Sequence, residues 1–203
     1  GLLLASDFDD TLFDGGVSIP GRNLEASRYF TGEGGYFTVA TGRAHRTFEA
    51  YAPLIPINAP AVLSNGAAIY DFQTDRLLEQ TTLPETAPLD LGELMEAFPS
   101  LALEVYYGED IYVCRPNEIT FAHMRKVGCS YTQRPMGELP TPWVKALFHQ
   151  EREVLLPVQA RLLEKFGGRY EAIFSNPRYL EITRKGSTKG GMVARVAQML
   201  GVA

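Results

Sequence analysis

Cysteine is scarce: Cys114 and Cys129 are the only two among 203 residues. That is too few for a disulfide framework, and they are not spaced as a zinc pair, so they read as reduced thiols. The three histidines, His45, His123 and His149, form no H-E-x-x-H motif and no His/Cys cluster, which argues against zinc catalysis. No apolar run approaches the roughly 18 residues of a membrane span. The stretch from Gly1 to Ala5 lacks the basic and apolar regions of a secretory signal. None of Asn23, Asn58, Asn65, Asn117 and Asn176 is followed two positions on by Ser or Thr. The expectation is a soluble, cytoplasmic protein. An excess of positive charge is also missing: 19 basic against 24 acidic side chains leave a formal charge of -5. Such a chain has no general attraction for nucleic acid or an anionic membrane, so any anion it binds must be held by a local site.

What is present is ordinary globular material, with 45% hydrophobic, 21% charged and 11% aromatic residues. The length suits one large domain or two small ones at about 150 residues per domain. Leu2 to Phe8 is an apolar run broken only by Ser6 and Asp7, the pattern of a strand buried on both faces. A turn from Asp14 to Gly21 and a helix from about Arg22 to Phe30 follow. Then come a strand from Tyr36 to Ala40, a helix from Gly42 to about Tyr51 and a strand from Ala61 to Ser64. This β-α-β-α-β order predicts an α/β fold with a doubly wound, parallel, Rossmann-like core.

The pattern then changes. Ala67 to Tyr70 and Arg76 to Thr81 read as a hairpin, and Leu83 to Leu89 as a linker. Helices near 91–98 and 119–126, a helix opened by Pro157, and strands at 101–107, 111–114, 144–149, 170–174 and 179–182 make an α+β unit inserted into the first. The expected boundaries are 1–81 for the first part of the core, 82–183 for the insert and 184–203 for the return to the core. In the last segment Ser187 or Thr188 caps a helix that ends at Gly201. Such a helix ordinarily feeds another strand, so the sequence reads as stopping before its last core strand.

The chemistry-bearing residues cluster at strand ends. Ser6-Asp7-Phe8-Asp9-Asp10-Thr11-Leu12 crowds carboxylates at the carboxyl end of the first strand, where open α/β sheets bind ligands. Carboxylates there can converge on a hard divalent cation, with Asp7 placed as nucleophile and Asp9 as proton donor or acceptor. The plainer alternative is an exposed acidic turn. Thr41, Gly42 and Arg43 join a hydroxyl, a permissive glycine and a base at a helix start, where free amides can hold phosphate; equally, Thr41 could simply cap that helix. Lys189 sits in the first turn of the last helix. Both bases oppose their helix dipoles unless one anion compensates them, although a solvated surface lysine also fits. The lysine precedes the glycines here, so G-x-x-x-x-G-K-[ST] is not matched and nucleotide binding of that kind is rejected. No G-x-S-x-G marks a serine hydrolase. Asn65, before Gly66, could face the same pocket or turn an ordinary hairpin.

In these motifs, SDFDDTLF, ATGR, SNGA and LEITRKGSTKGG, the chain resembles haloacid dehalogenase superfamily phosphatases of the Cof-like group with a type IIB cap. The resemblance covers essentially the whole chain. It implies that Asp7 forms an aspartyl-phosphate, that Asp9 protonates the leaving group and then activates water, and that Thr41 and Lys189 hold the transferring oxygens. Gly42, Arg43 and Asn65 match positions near substrate or phosphate. It further implies Mg2+ bound through Asp7, the backbone carbonyl of Asp9 and an acidic fourth motif, which would follow Gly201 and is absent from this sequence. Asp10 stands where the group more usually has glycine. The implied substrate is a small phosphorylated metabolite, most simply a sugar phosphate, acted on by a monomer or homodimer beneath a closing cap. A phosphosugar mutase, or a non-catalytic phosphate-binding form, fits the same motifs.

Overall fold

The computed structural model describes residues 1–14 and 18–202, so the expected turn through Gly15, Gly16 and Val17 falls outside the described residues. The chain divides into two compact units, Gly1–Gln80 with Ser187–Ala203, and Thr81–Gly186.

In the first unit β1 (Leu3–Ser6), α1 (Gly21–Gly32) and β2 (Tyr36–Val39) form a β-α-β unit with β1 and β2 paired in parallel. A parallel bridge from Ala40 to Val62 continues this order to β3 (Ala61–Leu63). From β3 the sheet turns antiparallel through the hairpin β4 (Ala68–Asp71) and β5 (Arg76–Gln80). Phe8, Phe37, Val39, Phe48 and Leu63 are buried in one apolar cluster under this sheet. The last helix, α6 (Lys189–Leu200), buries Val196 against Val62 and Ile69.

The helix expected over 42–51 is reduced to one turn, α2 (His45–Phe48). The carbonyl of Arg43 accepts the Ser64 N–H, which pins residues 41–44 as a loop. Pro53, which has no N–H to give to an α-helix, leaves only a tighter turn at Ala52–Leu54.

The second unit is a six-stranded sheet with helices. Helix α3 (Ala87–Ala97) begins inside the stretch expected to be a linker, because Pro88 suits a first helical turn and Ala87, Leu91, Leu94 and Met95 bury one stripe. Strands β6 (Ala102–Tyr107) and β7 (Asp110–Cys114) form a hairpin, and α4 (Glu118–Val127) follows behind an Asn117 capping box. A short strand, β8 (Tyr131–Gln133), pairs in parallel with β7 at the sheet edge. All three of its residues are exposed, so no burial pattern announced it. β9 (Lys145–His149), α5 (Arg152–Phe166), β10 (Tyr170–Asn176) and β11 (Tyr179–Arg184) complete the order β10-β11-β9-β6-β7-β8.

Pro157 does not open α5, as the sequence suggested; the helix starts at Arg152 with Pro157 inside it. Leu155, Val158, Leu162 and Phe166 are buried on one stripe, and Pro157 lies on the exposed face. There the carbonyl that loses its helical partner meets water, while the extra turn buries Leu155.

Candidate active site

All seven residues singled out in the sequence lie in the first unit. Asp7 directly follows β1, and Thr41, Gly42 and Arg43 follow β2 and its bridge residue Ala40. Asn65 follows β3, and Lys189 opens α6. The carboxyl ends of the three strands are laced together by backbone bonds. Ala40 N donates to the Ser6 carbonyl at 2.8 Å, Thr41 N to Val62 at 2.9 Å, and Asn65 N to Thr41 at 3.0 Å.

On that edge Lys189 Nζ donates to Asp7 Oδ1 at 2.8 Å, joining residues 182 positions apart. Phe8 N donates to the same oxygen at 2.7 Å. The two side chains are 35% and 47% exposed, and an ion pair that open contributes no more than about 1 kcal/mol to folding. Its placement is therefore a matter of chemistry more than stability: a cation is aimed at a reachable carboxylate. The same pair offsets the clash between Lys189 and the positive end of α6. Thr188, the N-cap, accepts the Gly191 N–H at 3.0 Å and fixes where the helix starts.

Arg43 does not sit with Lys189 on Asp7. Its Nε donates to both oxygens of Asp9, at 3.2 and 3.0 Å, and Nη2 donates to Oδ1 at 2.7 Å. The guanidinium lies 5.2 Å from the Phe8 ring and 4.8 Å from the Tyr51 ring. Burial alone would lower its pKa, but the hydrogen bonds and charge of Asp9 outweigh that and raise it. Arg43 thus stays charged and grips Asp9 through charge-assisted hydrogen bonds.

Thr41 is fully buried, and its Oγ1 accepts the Arg43 N–H at 3.1 Å. It closes the loop before α2, whose N-cap is Ala44. A Cβ on Gly42 would stand 3.0 Å from Asn65 Oδ1, so the glycine lets these two residues touch. Ser64 and Asn65 both adopt positive φ, 51° and 57°. Two consecutive left-handed non-glycine residues are strain of the kind found where a site dictates the backbone. Asp10 likewise has φ 58°. Glycine would adopt this backbone without strain, and aspartate is among the side chains that tolerate it.

The family of haloacid dehalogenase-like hydrolases matches over residues 4–203. The chain belongs to that family. A protein of Buchnera aphidicola subsp. Baizongia pistaciae is 23% identical over 205 residues, covering 98% of this chain and 75% of its own length. The pyridoxal phosphate phosphatase YbhA of Escherichia coli is 26% identical over 93 residues, 46% of this chain and 34% of that protein. Among solved structures, a subclass IIB sugar phosphatase of the superfamily superposes with a TM-score of 0.81 at 18% identity, over 100% of this chain and 77% of the other. At that identity the likeness establishes a shared fold.

The sequence missed one cluster. His123 and His149, which show no ligand spacing, meet Glu104 in the second unit, with possible ligand atoms all within 4.8 Å of one another. Strand register brings Glu104 and His149 together and α4 adds His123; the trace in the sequence is a lone carboxylate within β6 and a histidine ending the apolar run of β9. Among the described residues no helix is long and apolar enough to cross a membrane.

Proposed function

We propose that this hydrolase cleaves phosphoric monoesters of small metabolites, with sugar phosphates as the first class to try, through an aspartyl-phosphate on Asp7. The observation that carries the reading is the 2.8 Å contact between Lys189 and Asp7 at the carboxyl edge of the sheet. Asp7 and the backbone carbonyl of Asp9 are hard oxygen donors, the set from which Mg2+ takes one or two protein ligands beside phosphate and water. They fit that ion, which when bound would neutralise phosphate charge.

The residues then divide the work. Asp7 attacks phosphorus in line and the ester P–O bond breaks. Lys189 draws charge from the equatorial oxygens, and the Thr41 hydroxyl with the neighbouring loop amides positions them. Gly42 and Asn65 shape the wall through their mutual contact. Asp9 gives a proton to the leaving oxygen and later takes one from the water that hydrolyses the acyl phosphate. In its observed arrangement both oxygens of Asp9 accept hydrogen bonds from Arg43, so Arg43 must release one of them before Asp9 can meet a leaving oxygen. Arg43 thereby becomes a positioning residue rather than a phosphate ligand.

The test is hydrolysis of an aryl phosphate and a panel of sugar phosphates, with and without Mg2+, by the wild type and Asp7→Asn. Asp7→Asn should reduce phosphate release by at least about 1,000-fold, comparable to removing a nucleophile elsewhere. Turnover by the variant near the wild-type rate defeats the proposal.

A further inference from the structure

In the antiparallel pairing of β6 with β9, Glu104 faces Leu147 and Ala102 faces His149, so Glu104 and His149 project from one side of the sheet. His123 reaches the same place from α4. Glu104 and His149 are fully buried, and the His123 side chain is 14% exposed. Glu104 Oε2 lies 3.4 Å from His149 Nε2 and 3.6 Å from His123 Nε2. Neither oxygen of Glu104, nor His149 Nε2, nor His123 Nδ1 has a hydrogen-bond partner among the described residues. A carboxylate sealed from water costs several kcal/mol unless charge or hydrogen bonds answer it, and the groups that face Glu104 are the two histidines, Tyr106 and Lys145.

The protons make the gap sharper. His149 Nδ1 meets Thr120 Oγ1 at 3.1 Å, and that hydroxyl lies 3.1 Å from Asn117 Oδ1, which can only accept. In the tautomer with the hydroxyl proton on Asn117, Nδ1 of His149 donates to Thr120 and Nε2 is open to a metal ion. His149 Nε2 and Glu104 Oε2 face each other at 3.4 Å without a hydrogen bond between them. An imidazole whose other nitrogen is fixed by an oxygen is the usual form of a metal-bound histidine.

We propose that Glu104, His123 and His149 form a binding site for one divalent ion of the zinc class, with a further position open to water. With bonds of about 2.0 to 2.2 Å, neighbouring ligands of tetrahedral zinc stand about 3.3 Å apart, close to the 3.4 and 3.6 Å found here. Two imidazoles and one carboxylate suit Zn2+ and not Mg2+, which takes oxygen. The nearby Lys145 ammonium is paired at 3.0 Å with Glu181, which blunts its repulsion of an entering cation. The Tyr179 ring packs at 4.7 Å against His123 and 5.1 Å against His149 and holds both rings. The ion would tie α4 to the sheet. None of its ligands belongs to the proposed phosphoryl-transfer site.

The test uses the whole chain, stripped with a chelator and titrated with Zn2+ against a chromophoric indicator in excess Mg2+. One equivalent should bind and raise the melting temperature. Glu104→Gln and His123→Gln should each weaken binding at least about tenfold, while Asp7→Asn binds as the wild type does. Should either variant fail to fold, X-ray absorption on the wild type decides by showing imidazole nitrogen around zinc. Binding of no zinc, binding equally tight in both folded ligand variants, or a zinc shell without imidazole would overturn the site.

Discussion

Gly66→Ala probes how the first unit sets the lysine on its carboxylate. Gly66 has φ +97°, and a Cβ there would lie 2.5 Å from the Thr188 carbonyl carbon and oxygen and 2.8 Å from its nitrogen. Ordinary contact begins near 3.4 Å, so the peptide that caps α6 must retreat by about 1 Å. Overpacking of that kind costs about 1–3 kcal/mol, and the left-handed backbone about 1–2 kcal/mol more for an alanine. A total loss of about 2–5 kcal/mol follows, read as a lower urea midpoint at unchanged slope. The same retreat carries Lys189, the next residue, out of hydrogen-bond range of Asp7. A displacement of about 1 Å at a reacting centre is worth about 100-fold in rate. Stopped-time phosphate release by the folded variant, corrected for the unfolded fraction, measures it. Wild-type stability together with wild-type turnover would refute the claim that this glycine spaces the site.

Three other outcomes are expected. Arg43→Lys keeps the charge but loses the fork on Asp9, and since both side chains are partly exposed it should lower stability by only about 1 kcal/mol in urea titration. Asp10→Gly relieves a left-handed residue and should raise the melting temperature, by up to about 1 kcal/mol of stability, without changing turnover. In metal-free protein, the unfolded His149 ring takes its proton near pH 6.5 and the folded one only near about 4. The unfolded state therefore binds more protons in that window, and stability should fall by about 3 kcal/mol as pH drops from 6.5 to 4. Glu104, whose pKa burial raises but whose nearby histidines and Lys145 bring it below the ordinary value, shifts stability in the same direction. A flat urea midpoint across that pH range would contradict both.

The strand ends that build the site were legible because they are local events: an apolar run followed at once by Asp7, by Thr41, or by Asn65. Lys189 was legible only by the order of motifs, since no spacing rule links residues so far apart. The contact of Arg43 with Asp9 was not legible, because a base at a helix start can answer either a phosphate or a distant carboxylate, and one strand alone does not reveal that Asp9 lies within reach. The meeting of the two histidines with Glu104 was equally illegible. Ligand spacing describes ions held by one helix or turn, whereas Glu104, His123 and His149 come from a strand, a helix and another strand. Elements failed where burial overrode a local signal, as when Leu155 extended α5 through Pro157, or where burial was absent, as in β8.

Acid-quenched reaction of the wild type with a phosphomonoester in Mg2+, followed by mass spectrometry of the peptide holding residues 1–14, goes straight to the bond the mechanism requires. The phosphoryl group should appear on Asp7 during turnover and vanish as substrate runs out. Steady hydrolysis with no phosphoryl group ever found on Asp7, or with it found on another residue, would contradict the mechanism.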